Sequence, residues 1–435
     1  MFFLVETPCT HKMCGGFSHL VARDRRKSYK SPIDLLSLRT HVNISTIIVH
    51  PELMIGQFND CFPPIMDGVS MTTYNYAYWL SKNNHPVTVV TPYAPGEFKE
   101  ETPFSILRYP SLPLISRKPY RWGLPNIPSS AVSQIHKTQF QIVHSHSPFS
   151  AGRLALRIAR KQNIPLVMTF HSKFREDFKH SVKSPTMVNW MLRHIMQVFE
   201  AADEVWIPQG AVLDTIREYG FKGHVEVVEN GNDFAQLGGF EERRRTRREA
   251  LGVSESTPIF LFVGQHIVEK NIPFIIDALD ILRDMDYRML FIGGGYGKES
   301  FEKRITSLGL DKKVSFLGVI KDREALASYY AAADLFLFPS LYDNAPLVLR
   351  EAAAMRTPGV LIEGSTSAEV IRNRENGFLV PNDAQKFAQE IKEIVGQPEL
   401  LERVSQNAFQ TLARSWQDIA EEVYDRYQHI INRKK

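Results

Sequence analysis

Residues 339–364 read PSLYDNAPLVLREAAAMRTPGVLIEG, and this stretch decides the fold. It follows DLFLFPS (334–340), an apolar run of strand length. LVLREAAAM then carries strong helix formers with apolar residues at helical spacing, and GVLIE (359–363) is strand-like again. Strand, turn, helix and strand in this order make a parallel βαβ unit. Asn344 opens the turn, so the free N–H groups at the helix start, near residues 344–348, can receive phosphate or sugar oxygens. Asp343 and Glu351 are separated by seven residues. Glu351 lies two turns along, among AAAM and predicted buried strands, which makes it a poor candidate for a solvated face residue and able to accept both hydroxyls of a ribose.

The same alternation extends in both directions. PIFLFVG (258–264), MLFIGGG (289–295) and VSFLG (314–318) are predicted strands. EERRRTRREALG (241–252) reads as a charged helix ended by Gly252, and NIPFIIDALDILRD (271–284) as a helix with Pro273 in its first turn. KFAQEIKEIV (386–395) is helical, and residues 400–431 form one long or two short terminal helices. In the first half IGQFND, PVTVVTP, QIVHSH, PLVMTFH, EVWIP and VEVVEN read as strands. TTYNYAYWLSKNN, SAGRLALRIARKQN and TMVNWMLRHIMQVFEAA read as helices. The fold class is α/β: two doubly wound domains, 54–232 and 233–415, with ENGND (229–233) near the junction. Ligands of such sheets sit beyond the carboxyl ends of the strands, so the crevice between the domains is the expected site.

Composition agrees. At 435 residues and 43% hydrophobic, two or three domains with their own cores are expected. Cys9, Cys14 and Cys61 cannot all pair and lack zinc-finger spacing, which points to a reducing compartment and no structural metal. No apolar run reaches the roughly 18 residues of a spanning helix. Residues 1–53 are basic and short of apolar periodicity; they are expected to be a disordered extension, lacking the order of a signal peptide, with the working chain beginning at Met54.

The net charge of +4 is unevenly spread. Residues 108–193 hold 14 Lys and Arg against Glu176 and Asp177, a net of +12. Within them, RKPYRWGLP (117–125) interleaves Tyr120 and Trp122 with Arg117, Lys118 and Arg121, and KFREDFKHSVK (173–183) adds further bases. Such a field suits a phosphate-rich substrate, a nucleic acid or an anionic membrane. The Arg run at 243–248 reads as a solvated helix face.

Further segments carry chemistry. In FPPIMDGVS (62–70), Gly68 lies between strand and helix, where backbone N–H groups favour an anion. His144, His146 and His171 end neighbouring predicted strands; they can bond a sugar hydroxyl or phosphate, and His144 is the best candidate for a satisfied core residue. No HExxH or nearby carboxylate supports zinc. In FVGQHIVEKN (262–271), Gly264 and a polar loop lead to a helix start, and Lys270 is placed to clamp a diphosphate as charge builds on a leaving group. The glycines of FIGGG (291–295) allow close approach of a nucleotide, without a GxGxxG dinucleotide pattern.

Residues 54 to about 430 resemble a family 4 glycosyltransferase of the GT-B fold. The resemblance is carried by FPPIMDGVS, FQIVHSHSPFSAG, IPLVMTFHSKF, VEVVENGND, VGQHIVEKN and PSLYDNAPLVLREAAA with ENGFLVPND. ARSWQDIAEEVYDRY (413–427) is similar to the helices that cross back onto the first domain, so about 416–435 would belong with it. The first-half motifs look most like the branch that glucosylates or mannosylates membrane lipids, including diacylglycerol. The resemblance implies a retaining transfer of a hexose from a nucleoside diphosphate sugar, without metal or other cofactor. It implies Gly68 at the donor phosphate or the acceptor, His171 beside the transferred sugar and Lys270 at the diphosphate. Asp343 with the following Asn344, Ala345, Leu347 and Val348 would hold the sugar, Glu351 the ribose, and Gly264 and Gln265 would belong to the donor loop. The implied partners are a nucleotide sugar, a lipid or glycan acceptor and an anionic membrane touched through residues 108–193, with no nucleic acid; the implied location is the cytoplasm, at the inner face of the membrane. Three departures stand out: Gln265, followed by His266, where the family has Arg; Asp343 where it has Glu; and Pro346 where glycine is common. They leave two other readings open, a catalytically weakened binding or scaffold protein of glycan assembly and a nucleotide-sugar epimerase or phosphorylase.

Overall fold

The computed structural model describes residues 53–434 apart from 97, 99, 100 and 342. The expectation of a disordered 1–53 extension therefore falls, except for Leu53, outside the described residues. In the first half the strands are β1 (Ile55–Phe58), β2 (Val87–Pro92), β3 (Ser105–Tyr109), β4 (Ser111–Pro113), β5 (Arg121–Gly123), β6 (Ile142–Ser145), β7 (Leu166–Thr169), β8 (Glu204–Ile207) and β9 (Glu226–Val227). The second half has β10 (Ile259–Val263), β11 (Arg288–Ile292), β12 (Val314–Gly318), β13 (Leu335–Phe338), β14 (Gly359–Ile362) and β15 (Phe378–Val380).

Two wholly parallel sheets result, ordered β3-β2-β1-β6-β7-β8-β9 and β12-β11-β10-β13-β14-β15; β4 and β5 form a separate antiparallel hairpin. Strands such as VTVVTP, IFLFV and LFLF are buried at every position, as a sheet covered by helices on both faces requires. On one face of the first sheet, Phe58, Val143 and Met168 pack against helices Ser150–Gln162 and Pro185–Glu200. On the other, Ile55, Val89, Ile142 and Trp206 pack with Tyr76 and Leu80 of helix Gly68–Lys82 and with Trp416, Val423 and Tyr427 of helix Trp416–Lys434. The last helix thus packs into the core of the first half.

The terminal helices separate, Pro398–Leu412 from Trp416–Lys434, where the chain crosses back. Asn232 N–H donates to Arg414 O (2.9 Å) and Trp416 N–H to Asn232 O (3.2 Å), so the two crossings run side by side. A Cβ on Gly231 would come within 2.7 Å of the Trp416 backbone, which explains a glycine there. In each sheet the strand order reverses once near the middle, between β1 and β6 and between β10 and β13. The loops that follow these strands form the site.

Candidate active site

In the second half, the loop after β10 leaves Gly264 half-buried, Gln265 exposed and His266 buried. Lys270 ends the 3-10 turn Val268–Lys270, just before helix Ile272–Ile281. Its Nζ is ion-paired with Oδ1 of Asp343, in the loop after β13, and both side chains are mostly buried. Asn271 Nδ2 donates to Pro339 O (3.2 Å) and ties the same two loops together. Asp343 Oδ2 and Asn344 Oδ1 are buried with no hydrogen-bond partner among the described residues, and buried acceptors of this kind normally have one. Helix Leu347–Ala354 begins here with Pro346 as its N-cap residue and no side-chain cap. Its positive end is therefore offered to the cleft, with Ala345, Leu347 and Val348 half-buried around it. Pro346 itself has no N–H to give.

Glu351 is buried, and its carboxylate is already engaged. It accepts from Arg323 Nη2 (2.7 Å) and from Tyr330 Oη (2.9 Å). Arg323 also forms a fork with Asp233, Nε to Oδ2 at 2.8 Å and Nη2 to Oδ1 at 2.5 Å. Burial opposes the Arg323 charge, but Glu351 and Asp233 outweigh it and hold the guanidinium above its ordinary value. Burial, with the Glu351 charge beside it, pushes the Tyr330 phenol up. Each Glu351 oxygen keeps a lone pair for a further donor.

The glycines after β11, expected to allow a nucleotide close approach, are also required by the chain's own packing. A Cβ on Gly293 (φ +135°) would lie 1.9 Å from Gly264 O, and one on Gly295 2.5 Å from His266 O. They let two loops pack backbone to backbone. Burial, then Lys298, pushes the His266 imidazole down to about 4. It does not replace the missing arginine with a charge.

In the first half, Gly68 starts helix Gly68–Lys82 beneath a capping box of Asp67 and Ser70, and a Cβ on it would meet open space. Asp67 Oδ2 accepts from Tyr120 Oη (3.0 Å). The Asp60 carboxylate, half-buried after β1, accepts from Ser147, Ser150 and the Ala151 N–H, and so closes the start of helix Ser150–Gln162. His144 is fully buried between Tyr427 and Thr169, the satisfied core histidine anticipated from its position. His171 follows β7, half-buried, with Nε2 3.1 Å from His146 Nδ1. Burial alone pushes His171 down to about 3, and burial drives His144 and His146 well below their ordinary value.

The two walls meet. Asn344 Nδ2 donates to His171 O (3.1 Å). Lys173 Nζ donates to Leu341 O (3.3 Å) and Thr366 Oγ1 (3.0 Å), and Gln209 Nε2 to Thr366 O (2.6 Å). His171, Lys270, Asp343 and Asn344 thus form one connected group. Gly68 and Gln265 make no bond to it among the described residues. Sequence reasoning assigned Lys173 to the basic surface, whereas it bridges the cleft. It also missed Arg323, Tyr330 and Tyr427; only Asp233, in the turn-forming NGND, carried a local signal. Among the described residues no group of three His, Cys, Asp or Glu converges as a metal site, and no helix is long and apolar enough to cross a membrane.

Comparison with known proteins gives two family matches in succession. Residues 66–236 match Glycosyltransferase Family 4, and residues 243–411 match Glycosyl transferases group 1. The chain is 25% identical over 383 residues to the alpha-monoglucosyldiacylglycerol synthase of Streptococcus pneumoniae, covering 86% of this chain and 85% of that one. It is 26% identical over 370 residues to the enzyme of the same name from Acholeplasma laidlawii, covering 82% and 92%. The crystal structure of HepE from Anabaena, in complex with UDP and glucose, superposes with a TM-score of 0.69 at 19% identity, over 87% of this chain and all of that one. With a Glycosyltransferase Family 4 segment along its first parallel sheet and a Glycosyl transferases group 1 segment along its second, the chain is a glycosyltransferase of the GT-B fold.

Proposed function

We propose that the chain transfers a hexose from a nucleoside diphosphate sugar to a hydroxyl of a membrane lipid of the diacylglycerol class, with retention at the anomeric carbon. The observation that carries this reading is the Lys270–Asp343 pair, set by the uncapped start of helix Leu347–Ala354 and joined through Asn344 to His171. On donor binding Lys270 turns from Asp343 to the diphosphate, and Asp343 Oδ2 and Asn344 Oδ1 take sugar hydroxyls. Glu351, held by Arg323 and Tyr330, takes the ribose hydroxyls.

The bond from the anomeric carbon to the phosphate oxygen breaks through an oxocarbenium-like state. Negative charge grows on the departing diphosphate, where Lys270 and the helix start stabilise it without a metal. The acceptor hydroxyl attacks from the same face, and its proton passes to the leaving phosphate oxygen. The products are the glycosyl lipid and the nucleoside diphosphate. His171, neutral at working pH, acts as a hydrogen-bonding group at the sugar, not as an acid.

The lipid acceptor is supported by the named activity of the two synthases to which the chain is similar over most of its length. It is also supported by exposed Leu112, Ile115 and Trp122 beside Lys118, and by exposed Met187 and Trp190 on helix Pro185–Glu200, beside Lys183. These exposed apolar and basic side chains suit peripheral contact with an anionic, cytoplasmic membrane surface.

The test is transfer from UDP-, GDP- and ADP-glucose to vesicles containing diacylglycerol, with the product anomer read by NMR. One donor is expected to give the α-glycosyl lipid. A β product would overturn retention. Nucleotide binding without transfer to any acceptor offered would favour the binding-protein reading.

A further inference from the structure

Six side chains from widely separated stretches form one hydrogen-bond chain behind the cleft. His171 Nε2 meets His146 Nδ1 (3.1 Å), and His146 Nε2 meets Gln57 Oε1 (2.8 Å). Gln57 Nε2 donates to Tyr427 Oη (3.0 Å). Tyr427 Oη meets His144 Nδ1 (2.6 Å), and His144 Nε2 meets Thr169 Oγ1 (2.6 Å). Gln57 lies on β1, the three histidines on or just after β6 and β7, and Tyr427 on the last helix.

The polarity of this chain follows from the orientation of the Gln57 amide. Gln57 Oε1 can only accept, so His146 carries its proton on Nε2 and accepts on Nδ1. His171 must then donate from Nε2, which leaves its Nδ1 bare. At the other end, Tyr427 accepts from Gln57 and gives its own proton to His144. A flipped Gln57 amide would reverse every bond and put the His171 proton on Nδ1. Burial keeps all three imidazoles neutral, so the proton positions, not charge, are what the chain settles. Tyr76 packs against His144 and His146, Trp206 against His144 and Tyr427, and Trp416 against Tyr76.

We propose that Tyr427 and Gln57 are positioning residues that set the tautomer of His171, so that Nδ1 meets the transferred sugar as an acceptor of a hydroxyl proton. Tyr427 comes from the helix that crosses back after the second half, so the docking of that helix completes the sugar-side wall of the cleft. The role toward the sugar rests on the transferase reading; the tautomer does not.

The test is the ring nitrogen spectrum of histidine in the full chain labelled with 15N-histidine, with His171→Gln to assign its signals. His171 is expected to be protonated at Nε2 and bare at Nδ1. Tyr427→Phe, which keeps the ring, and Gln57→Met, which keeps the volume, should each give mixed or reversed tautomers. Both should lower kcat about fivefold or more, the scale of one buried hydrogen bond, with donor KM within twofold. A proton on Nδ1 in the native chain, or an unchanged His171 tautomer in both variants, would overturn the proposal. The expected tautomers with no sugar transfer would uphold the relay and refute the transferase reading instead.

Discussion

The two walls of the cleft handle burial in opposite ways. The second-half wall keeps its charges and pairs them: Lys270 with Asp343, and Arg323 with Glu351 and Asp233. The first-half wall gives up charge and holds three neutral imidazoles in a hydrogen-bonded line. A buried charge without a partner is costly, so each wall is stable only because its own solution is complete. On the proposed reading the difference divides the labour: the paired charges of the second half can be exchanged for a diphosphate and for sugar and ribose hydroxyls, whereas the neutral line of the first half can bond only uncharged hydroxyls.

The contrast can be broken most sharply at Lys270. Lys270→Ala should lower kcat about 100- to 1000-fold, the scale of losing one preorganised stabiliser of a leaving group, in a steady-state transfer assay. A fall of less than tenfold would remove Lys270 from the reaction. Electrostatic roles on this wall also predict that Lys270→Arg recovers part of the loss.

The neutral wall should reveal itself through pH. His171 is about 3 in the folded chain against an ordinary 6.5, and His144 and His146 shift in the same direction. Below about 6.5 the unfolded chain takes protons that the folded chain refuses. Stability is thus full above that pH and falls as pH drops from about 6.5 toward 3, by up to roughly 1.4 kcal/mol per unit for each imidazole. Urea midpoints at pH 7, 6 and 5 check this, and His171→Gln should flatten the slope by one proton. A midpoint independent of pH would contradict the neutral line.

The smallest expected effect lies away from both walls. Lys118→Glu should weaken binding to anionic vesicles severalfold, on the scale of about 1 kcal/mol per basic residue, and added salt should do the same. Equal binding to neutral and anionic vesicles would remove the electrostatic contribution.

The two walls also differ in how far they can be read from sequence. Asp343, Asn344 and Glu351 lie on one turn and its helix, and Lys270 in one strand–loop–helix segment, so local pattern located them. Their mutual pairing was not legible, because it depends on how two loops meet. On the other wall His171 was found as a strand-end histidine, but what holds it was not: Gln57 and Tyr427 stand 370 residues apart, with no local signature linking them. The same limit applies to FIGGG, whose sequence does not show that its glycines also let two loops pack backbone to backbone. Strands β3 (SILRY), β15 (FLV) and the β4–β5 hairpin escaped notice because they are short or carry polar residues. VEVVEN forms only the two-residue strand Glu226–Val227 before the chain turns toward the junction.

The measurement that bears most directly on the division of labour is the thermal stability of the full chain against UDP, GDP and ADP, with Glu351→Ala and His171→Ala alongside. At 100 times its Kd one nucleotide should stabilise the native chain by about 2.7 kcal/mol. That shift should be lost in Glu351→Ala and kept in His171→Ala. A shift kept in Glu351→Ala, lost in His171→Ala, or absent with all three nucleotides would contradict a nucleotide site on the charged wall.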